Sequence, residues 1–213
     1  MGKIYTALGL MSGTSGDGVD ASIISSDGID QYSEILNKYF EYDQKIHENL
    51  HNLRGKIFKF ENIEKNKNEI NQLEKELTLF HAKIVNEILK TNNKDIDFIG
   101  FHGQTIYHDV SEKISKQIGD GNLLSQLTKK TVIYNFRQND IKNGGEGAPL
   151  TPVFHRLIAK QKNIQLPVCI LNIGGIANIT AINEYDNNSF FSRDLGPGNC
   201  LIDEWIRIHT INK

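Results

Sequence analysis

Two stretches of this chain follow one plan: an apolar strand, a tight turn of glycine and small polar residues, and a second strand. Residues 3–10 lead into Met11-Ser12-Gly13-Thr14-Ser15-Gly16-Asp17-Gly18, after which 19–25 alternate as VDASIIS. The second copy runs from an apolar segment at 168–173 through Gly174-Gly175 into 176–182. Alternation with period two is strand behaviour, and glycine between two strands marks a turn. A hairpin plan used twice predicts an α/β fold of two similar lobes with a cleft between them. Pro167 is the expected boundary. Residues 1–166 then form a first lobe with the ligand-facing loops, and 167–213 begin a second, incomplete lobe that reaches only its first helix.

A third antiparallel strand is expected at 31–42, after the turn at Asp27-Gly28. From Asp43 the pattern becomes helical. Ile63, Ile70, Leu73, Leu77, Phe80, Ile84 and Ile88 recur at spacings of 7, 3, 4, 3, 4 and 4, one core-facing side of a long helix. Short strands are expected at 97–102, 115–118 and 131–135, with a helix near 122–129. The glycine-rich stretch 136–150 reads as a loop, and 152–160 as a helix with proline in its first turn. Phe190 and Phe191 open a last strand that ends at Asp194. Residues 201–211 close as a helix with Leu201, Ile202, Trp205 and Ile208 on one side.

Charge narrows the range of functions. Lys+Arg 24 against Asp+Glu 26 gives a net charge of −2, with no basic excess for nucleic acid. The lysines of 59–75 alternate with Glu and Asn, as on a solvated helix face. No run is long enough to cross a bilayer and none resembles a signal peptide, so a cytoplasmic protein without membrane partners is expected. Cys169 and Cys200 make no CxxC pair, and the histidines have no metal-ligand spacing.

The first glycine turn concentrates backbone N–H groups that can approach a phosphate, with Ser12, Thr14 and Ser15 adding hydroxyls. Asp17 can reach a phosphate-bound Mg²⁺ directly or through water. The turn lacks a GK[ST] ending and leads into a strand, so it is neither a Walker A loop nor a dinucleotide fingerprint. An ordinary Ser/Gly hairpin fits the turn equally well. Gly174, Gly175, Asn172 and Asn178 repeat the chemistry more weakly. Asp194, before Gly196-Pro197-Gly198-Asn199, is placed to act as a general base or to cap the following helix, with Asn199 as N-cap. His102 and Gln104 offer hydrogen bonds of the kind sugar hydroxyls need. Arg137 is a fork for a carboxylate or phosphate, or else one half of a surface pair with Asp140.

Six segments in order resemble the anhydro-N-acetylmuramic acid kinase family. They are GLMSGTSGDGVDA, FIGFHGQTIYH, QIGDGNLL, NFRQNDI with GGEGAPLTPVFH, LNIGGIANIT and DLGPGNCLIDEW. The resemblance implies an actin-like (ribonuclease H-like) ATPase fold and an enzyme of bacterial cell-wall sugar recycling. Such enzymes use ATP and Mg²⁺ to convert 1,6-anhydro-N-acetylmuramic acid to N-acetylmuramic acid 6-phosphate, coupling hydrolysis of the anhydro bond to phosphorylation. By that resemblance Gly13, Thr14, Ser15, Gly16, Asp17, Gly18, Val19 and Asp20 hold the ATP phosphates, with Asp17 towards Mg²⁺. Gly174, Gly175 and Asn178 form a second phosphate hairpin. Asp194 activates the attacking water, and His102, Gln104, Asp120, Arg137 and Asp140 meet the sugar.

The family usually carries Leu at position 16, Asp at 135, Gln at 146 and Thr at 195, where this chain has Gly16, Asn135, Glu146 and Leu195. Gly16 is expected to loosen the phosphate loop, and Glu146 to add unhelpful negative charge near an anion. Family chains also continue further, through an adenosine-binding glycine motif and a second acidic residue. A companion polypeptide or a homodimer is therefore an expected partner. The rival reading is a truncated, inactive remnant or a sugar-binding module of such a kinase. A third, an ATP-independent sugar hydrolase, lacks a recognisable second carboxylate.

Overall fold

The structure, a computed structural model, describes residues 3–185 and 190–210. They divide into two compact units, Met1–Gly28 with Tyr32–Gly147, and Ile29–Gln31 with Ala148–Lys213.

In the first unit, β1 (Tyr5–Met11), β2 (Gly18–Ser26) and β3 (Tyr32–Glu41) form an antiparallel meander. Three helices follow: α1 (Gln44–Arg54), α2 (Glu61–Lys65) and α3 (Lys67–Thr91). Then come β4 (Phe98–Phe101), β5 (Gln104–Asp109), β6 (Ile114–Ile118), α4 (Gly121–Thr128), β7 (Thr131–Tyr134) and α5 (Phe136–Lys142). The main sheet is ordered β3-β2-β1-β4-β7, with β4 parallel to both β1 and β7. Only β2 runs against its four companions. β5 and β6 form a separate antiparallel pair.

Period two explains the core. Leu8 pairs with both Ile23 and Ile99, and Leu10 with both Ala21 and Phe101, so these side chains share one face of the sheet. All six are buried, in one cluster with Leu50 and Leu53 of α1 and Leu73, Leu77, Ile84 and Ile88 of α3. Each such leucine or isoleucine contributes about 1.5–3 kcal/mol by leaving water. α1 also begins on a local signal, the side chain of Asp43 accepting from Ile46 N.

Two expectations are corrected here, and one strand is added. The apolar stripe is divided, because Ile63 lies on α2, and Asn66, outside the regular helical region (φ −105°, ψ 16°), separates it from α3. The stretch 136–150 is not all loop. It opens with α5, directly after Asn135 at φ 60°. The strand β5, which begins at the fully buried Gln104, was not among the expected strands.

The second unit holds α6 (Pro152–Gln161), β8 (Val168–Ile173), β9 (Ile176–Ile182), β10 (Phe190–Pro197) and α7 (Cys200–His209). Its sheet is antiparallel, β10-β9-β8. Thr180 and Ile182 are buried, with His155 Nδ1 and Thr180 Oγ1 2.8 Å apart. Tyr185 accepts from Arg156 at its carbonyl and donates its hydroxyl to the Ala159 carbonyl. On α7, Leu201, Ile202, Trp205, Ile206 and Ile208 are all exposed. Ile211, expected in this helix, lies outside the described residues.

Candidate active site

The turn between β1 and β2 is held from below. Gly13 O accepts from Gly16 N at 3.3 Å and from Gln104 Nε2 at 2.8 Å. Thr14 O accepts from Arg54 Nη1, and Arg54 Nη2 reaches Thr105 O at 3.2 Å. Above, Thr14 and Asp17 are exposed, and Ser15 Oγ donates to Asp17 Oδ1 at 2.6 Å. Gly16 has φ +71°, and a Cβ there would lie 2.8 Å from Leu50 Cδ2. The glycine is therefore required by the turn as folded and does not loosen it. Asp17 can meet a cation bound to a phosphate through water, and a lone exposed carboxylate suits that role. Among the described residues, no group of three His, Cys, Asp or Glu is placed to hold a metal by itself.

Ser12 does not offer its hydroxyl upward, contrary to the expectation. It is 2% exposed, with Oγ 2.8 Å from the Tyr42 hydroxyl and 3.2 Å from His81 Nε2. His81 Nδ1 lies 2.7 Å from the Leu77 carbonyl, which only accepts, so Nδ1 carries the proton and Nε2 accepts from Ser12. The order of donation is Tyr42 to Ser12 to His81 to Leu77. Burial pushes the His81 pKa down to about 4 and that of Tyr42 up to about 12, so both stay neutral. Beside Gly18, Tyr39 has its pKa raised by burial first and then by the charge of Asp17.

His102 and Arg137, 35 residues apart in sequence, meet directly: Arg137 Nε donates to His102 Nε2 at 3.1 Å. The other histidine nitrogen, Nδ1, donates to Gly103 O at 2.8 Å. Burial and then the Arg137 charge bring the His102 pKa down to about 4, fixing this ring as neutral with its proton on Nδ1. Arg137 Nη1 also donates to Gly147 O, while Asp140 Oδ2 accepts from Gly147 N. Arg137 and Asp140 thus grip the same glycine, one at its carbonyl and the other at its N–H. Asp120 Oδ1 accepts from Asn122 N and Leu123 N, the N-cap of α4. Asn135 sits at φ 60°, which asparagine tolerates better than most residues, and Glu146 is exposed.

In the second unit Asp194 is not at a strand end, as expected. β10 continues to Pro197, and its pairing shifts between Asp194, opposite Asn178, and Gly196, opposite Ala177. Leu195 is the extra residue of this bulge, a device that re-aims neighbouring side chains. Asp194 is exposed. The GPGN segment folds back on the Gly174-Gly175 turn, with Gly198 N donating to Gly175 O at 2.9 Å and Asn199 N to Gly174 O at 2.8 Å. A Cβ on Gly198 would run into the Gly174 carbonyl. Asn199 occupies the N-cap position of α7, yet its side chain makes no capping bond.

The sequence reading missed Arg54, Tyr42 and His81. Each reaches the turn from at least 30 residues away, and none stands in a motif.

Compared with known proteins, residues 5–213 match the family model for Anhydro-N-acetylmuramic acid kinase. An anhydro-N-acetylmuramic acid kinase of Pelagibacter ubique (strain HTCC1062) is 61% identical over 210 residues, covering 99% of this chain and 56% of the relative. The protein of that name from Agrobacterium fabrum (strain C58 / ATCC 33970) is 39% identical over 215 residues, covering 99% of this chain and 57% of its own length. One from Paramagnetospirillum magneticum (strain ATCC 700264 / AMB-1) is 39% identical over 209 residues, 96% of this chain and 54% of the relative. The chain thus spans little more than half the length of the curated relatives it matches.

Proposed function

The chain belongs to the anhydro-N-acetylmuramic acid kinase family, and from that premise we propose that it contributes to ATP-dependent conversion of 1,6-anhydro-N-acetylmuramic acid to N-acetylmuramic acid 6-phosphate. The observation that carries the reading is the turn after β1. It puts Thr14 and Asp17 in solvent while its carbonyls are held from beneath by Gln104 and Arg54. Such a turn suits phosphate, because the Thr14 and Ser15 N–H groups point away from the clamped carbonyls of their own peptides.

The sheet order β3-β2-β1-β4-β7, with only β2 reversed, supports an actin-like, ribonuclease H-like fold for the first lobe. The meander β8-β9-β10 suits the opening of a second, and we place the lobe division at 166/167. In this reading Gly13 to Asp20 hold the ATP phosphates, and Gly174, Gly175 and Asn178 form the second phosphate hairpin. Magnesium, when bound with the nucleotide, would neutralise phosphate charge, and Asp17 is the residue that would hold it.

Asp194 takes a proton from water as the water oxygen attacks the anomeric carbon. The bond from that carbon to O6 breaks, and O6 attacks the γ-phosphorus as the bond from that phosphorus to the β,γ-bridging oxygen breaks and ADP leaves. Arg137, steadied by neutral His102 and by Gly147, binds the lactyl carboxylate of the sugar. Gln104, Asp120 and Asp140 act on the protein's own backbone, keeping these groups in place. The protein works in the cytoplasm, with a companion polypeptide or a second copy completing the nucleotide site.

The deciding experiment is calorimetric titration of the chain with 1,6-anhydro-N-acetylmuramic acid, beside the same titration of Arg137→Met. Binding that the variant loses supports the reading. Equal binding by both removes Arg137 from the sugar site, and no binding by either removes the sugar from the first lobe.

A further inference from the structure

We infer that Arg54 is a positioning residue of the phosphate turn, turning the Ser15 N–H outward and setting an unneutralised positive charge behind the bound anion. The inference deepens the reading of Gly13–Asp20 as an ATP-phosphate loop and rests on it.

Three observations on this side chain converge. Its guanidinium donates to Thr14 O and Thr105 O, so it bridges the turn to β5 and leaves the carbonyls of its own helix alone. That distinguishes it from an arginine that merely complements the negative end of α1. Peptide 14–15 is trans and planar, so an N–H points opposite to its own C=O. Fixing Thr14 O on Arg54 fixes Ser15 N–H on the far side of the turn, and Gln104 does the same for Thr14 N–H through Gly13 O. Among the described residues neither of these two N–H groups has a hydrogen-bond acceptor.

The charge is the second part. Arg54 is largely withdrawn from water, and among the described residues no carboxylate lies within 4 Å of it. Burial lowers its pKa. A cation held out of water and paired only with carbonyls is poorly compensated, and an anion arriving on the turn relieves it. Gly16 gives the guanidinium room. A Cβ at that position would stand 3.1 Å from Arg54 Nη1.

The test titrates the isotope-labelled chain, Arg54→Lys and Arg54→Met with inorganic tripolyphosphate at low salt. Affinity is read by calorimetry, and the Thr14 and Ser15 amides and Arg54 Nε by NMR. We expect the Thr14 and Ser15 amides and Arg54 Nε to shift most in the unmodified chain. Arg54→Met should weaken binding about tenfold, the scale of one charge-assisted hydrogen bond. Arg54→Lys should recover part of that loss, which an arginine of purely structural use would not show. Equal affinity in the unmodified chain and Arg54→Met overturns the role of Arg54 while leaving the loop reading standing. No binding by the unmodified chain overturns the loop reading, and this inference with it. If Arg54→Met does not fold, the Arg54 Nε signal decides: binding that leaves it unmoved overturns the inference.

Discussion

At the scale of single residues, backbone conformation settles a question that residue type leaves open. Gly16 invites replacement by leucine, which stabilises a loop when φ is negative by narrowing the unfolded ensemble. Its φ of +71° and the nearby Leu50 reverse the sign. Gly16→Leu should destabilise the first unit by about 2 kcal/mol or more, from left-handed strain and overpacking together, measured as a lower urea midpoint. Asp194 allows an equally direct test. In any assembly containing this chain that turns over, Asp194→Asn should keep sugar affinity but lose about a hundredfold or more in rate, as expected on removal of a general base. A variant that kept most of its turnover would exclude Asp194 as the base. The turn around Gly16 was legible in the sequence, because glycine between two apolar strands advertises itself. Arg54, Tyr42 and His81 were not legible, since nothing in a single chain tells which distant side chain folds back onto a turn.

At the scale of elements, legibility followed periodicity. The β1–β2 hairpin and the buried face of α3 repeat apolar residues at the period of their structure, and both were foreseeable. α5 was not, because FRQNDIK carries only two apolar residues and starts without a capping side chain. β5 was hidden by Gln104, a polar residue in a fully buried strand position whose Nε2 donates to the turn. Asp120 illustrates how an element can claim a residue that a motif assigns to a ligand. Its carboxylate caps α4 through two backbone N–H groups, so Asp120→Ala should cost about 1 kcal/mol in thermal or urea unfolding. Sugar titration of the same variant should show little change. A loss of sugar affinity without a loss of stability would return Asp120 to the ligand site.

At the scale of the whole molecule, length and surface point the same way. The chain spans 56% of its Pelagibacter relative, and Leu201, Ile202, Trp205, Ile206 and Ile208 stand exposed on one short helix. Exposed apolar surface of that kind favours association. We expect no sugar-dependent ADP release from the chain alone, and release once the remaining portion of the relative is supplied in trans; turnover by the chain alone would refute this. Stability should also fall with acid in a defined window. His81 is wholly buried with a pKa of about 4, below its ordinary 6.5, so the unfolded chain takes up the proton first. Its contribution is therefore complete above pH 6.5 and is lost as pH falls towards 4, at about 1.4 kcal/mol per pH unit inside that window. His102 acts in the same direction. Urea midpoints between pH 7 and 4.5 check this, and a flat profile across that range would contradict it. Tyr42, Ser12 and His81 are all shut off from water, so none of their labile hydrogens can be traded for deuterium until the floor of the turn comes apart. The speed at which heavy water erases the His81 Nδ1 proton signal is then a clock for that opening, running in the resting protein before any substrate arrives.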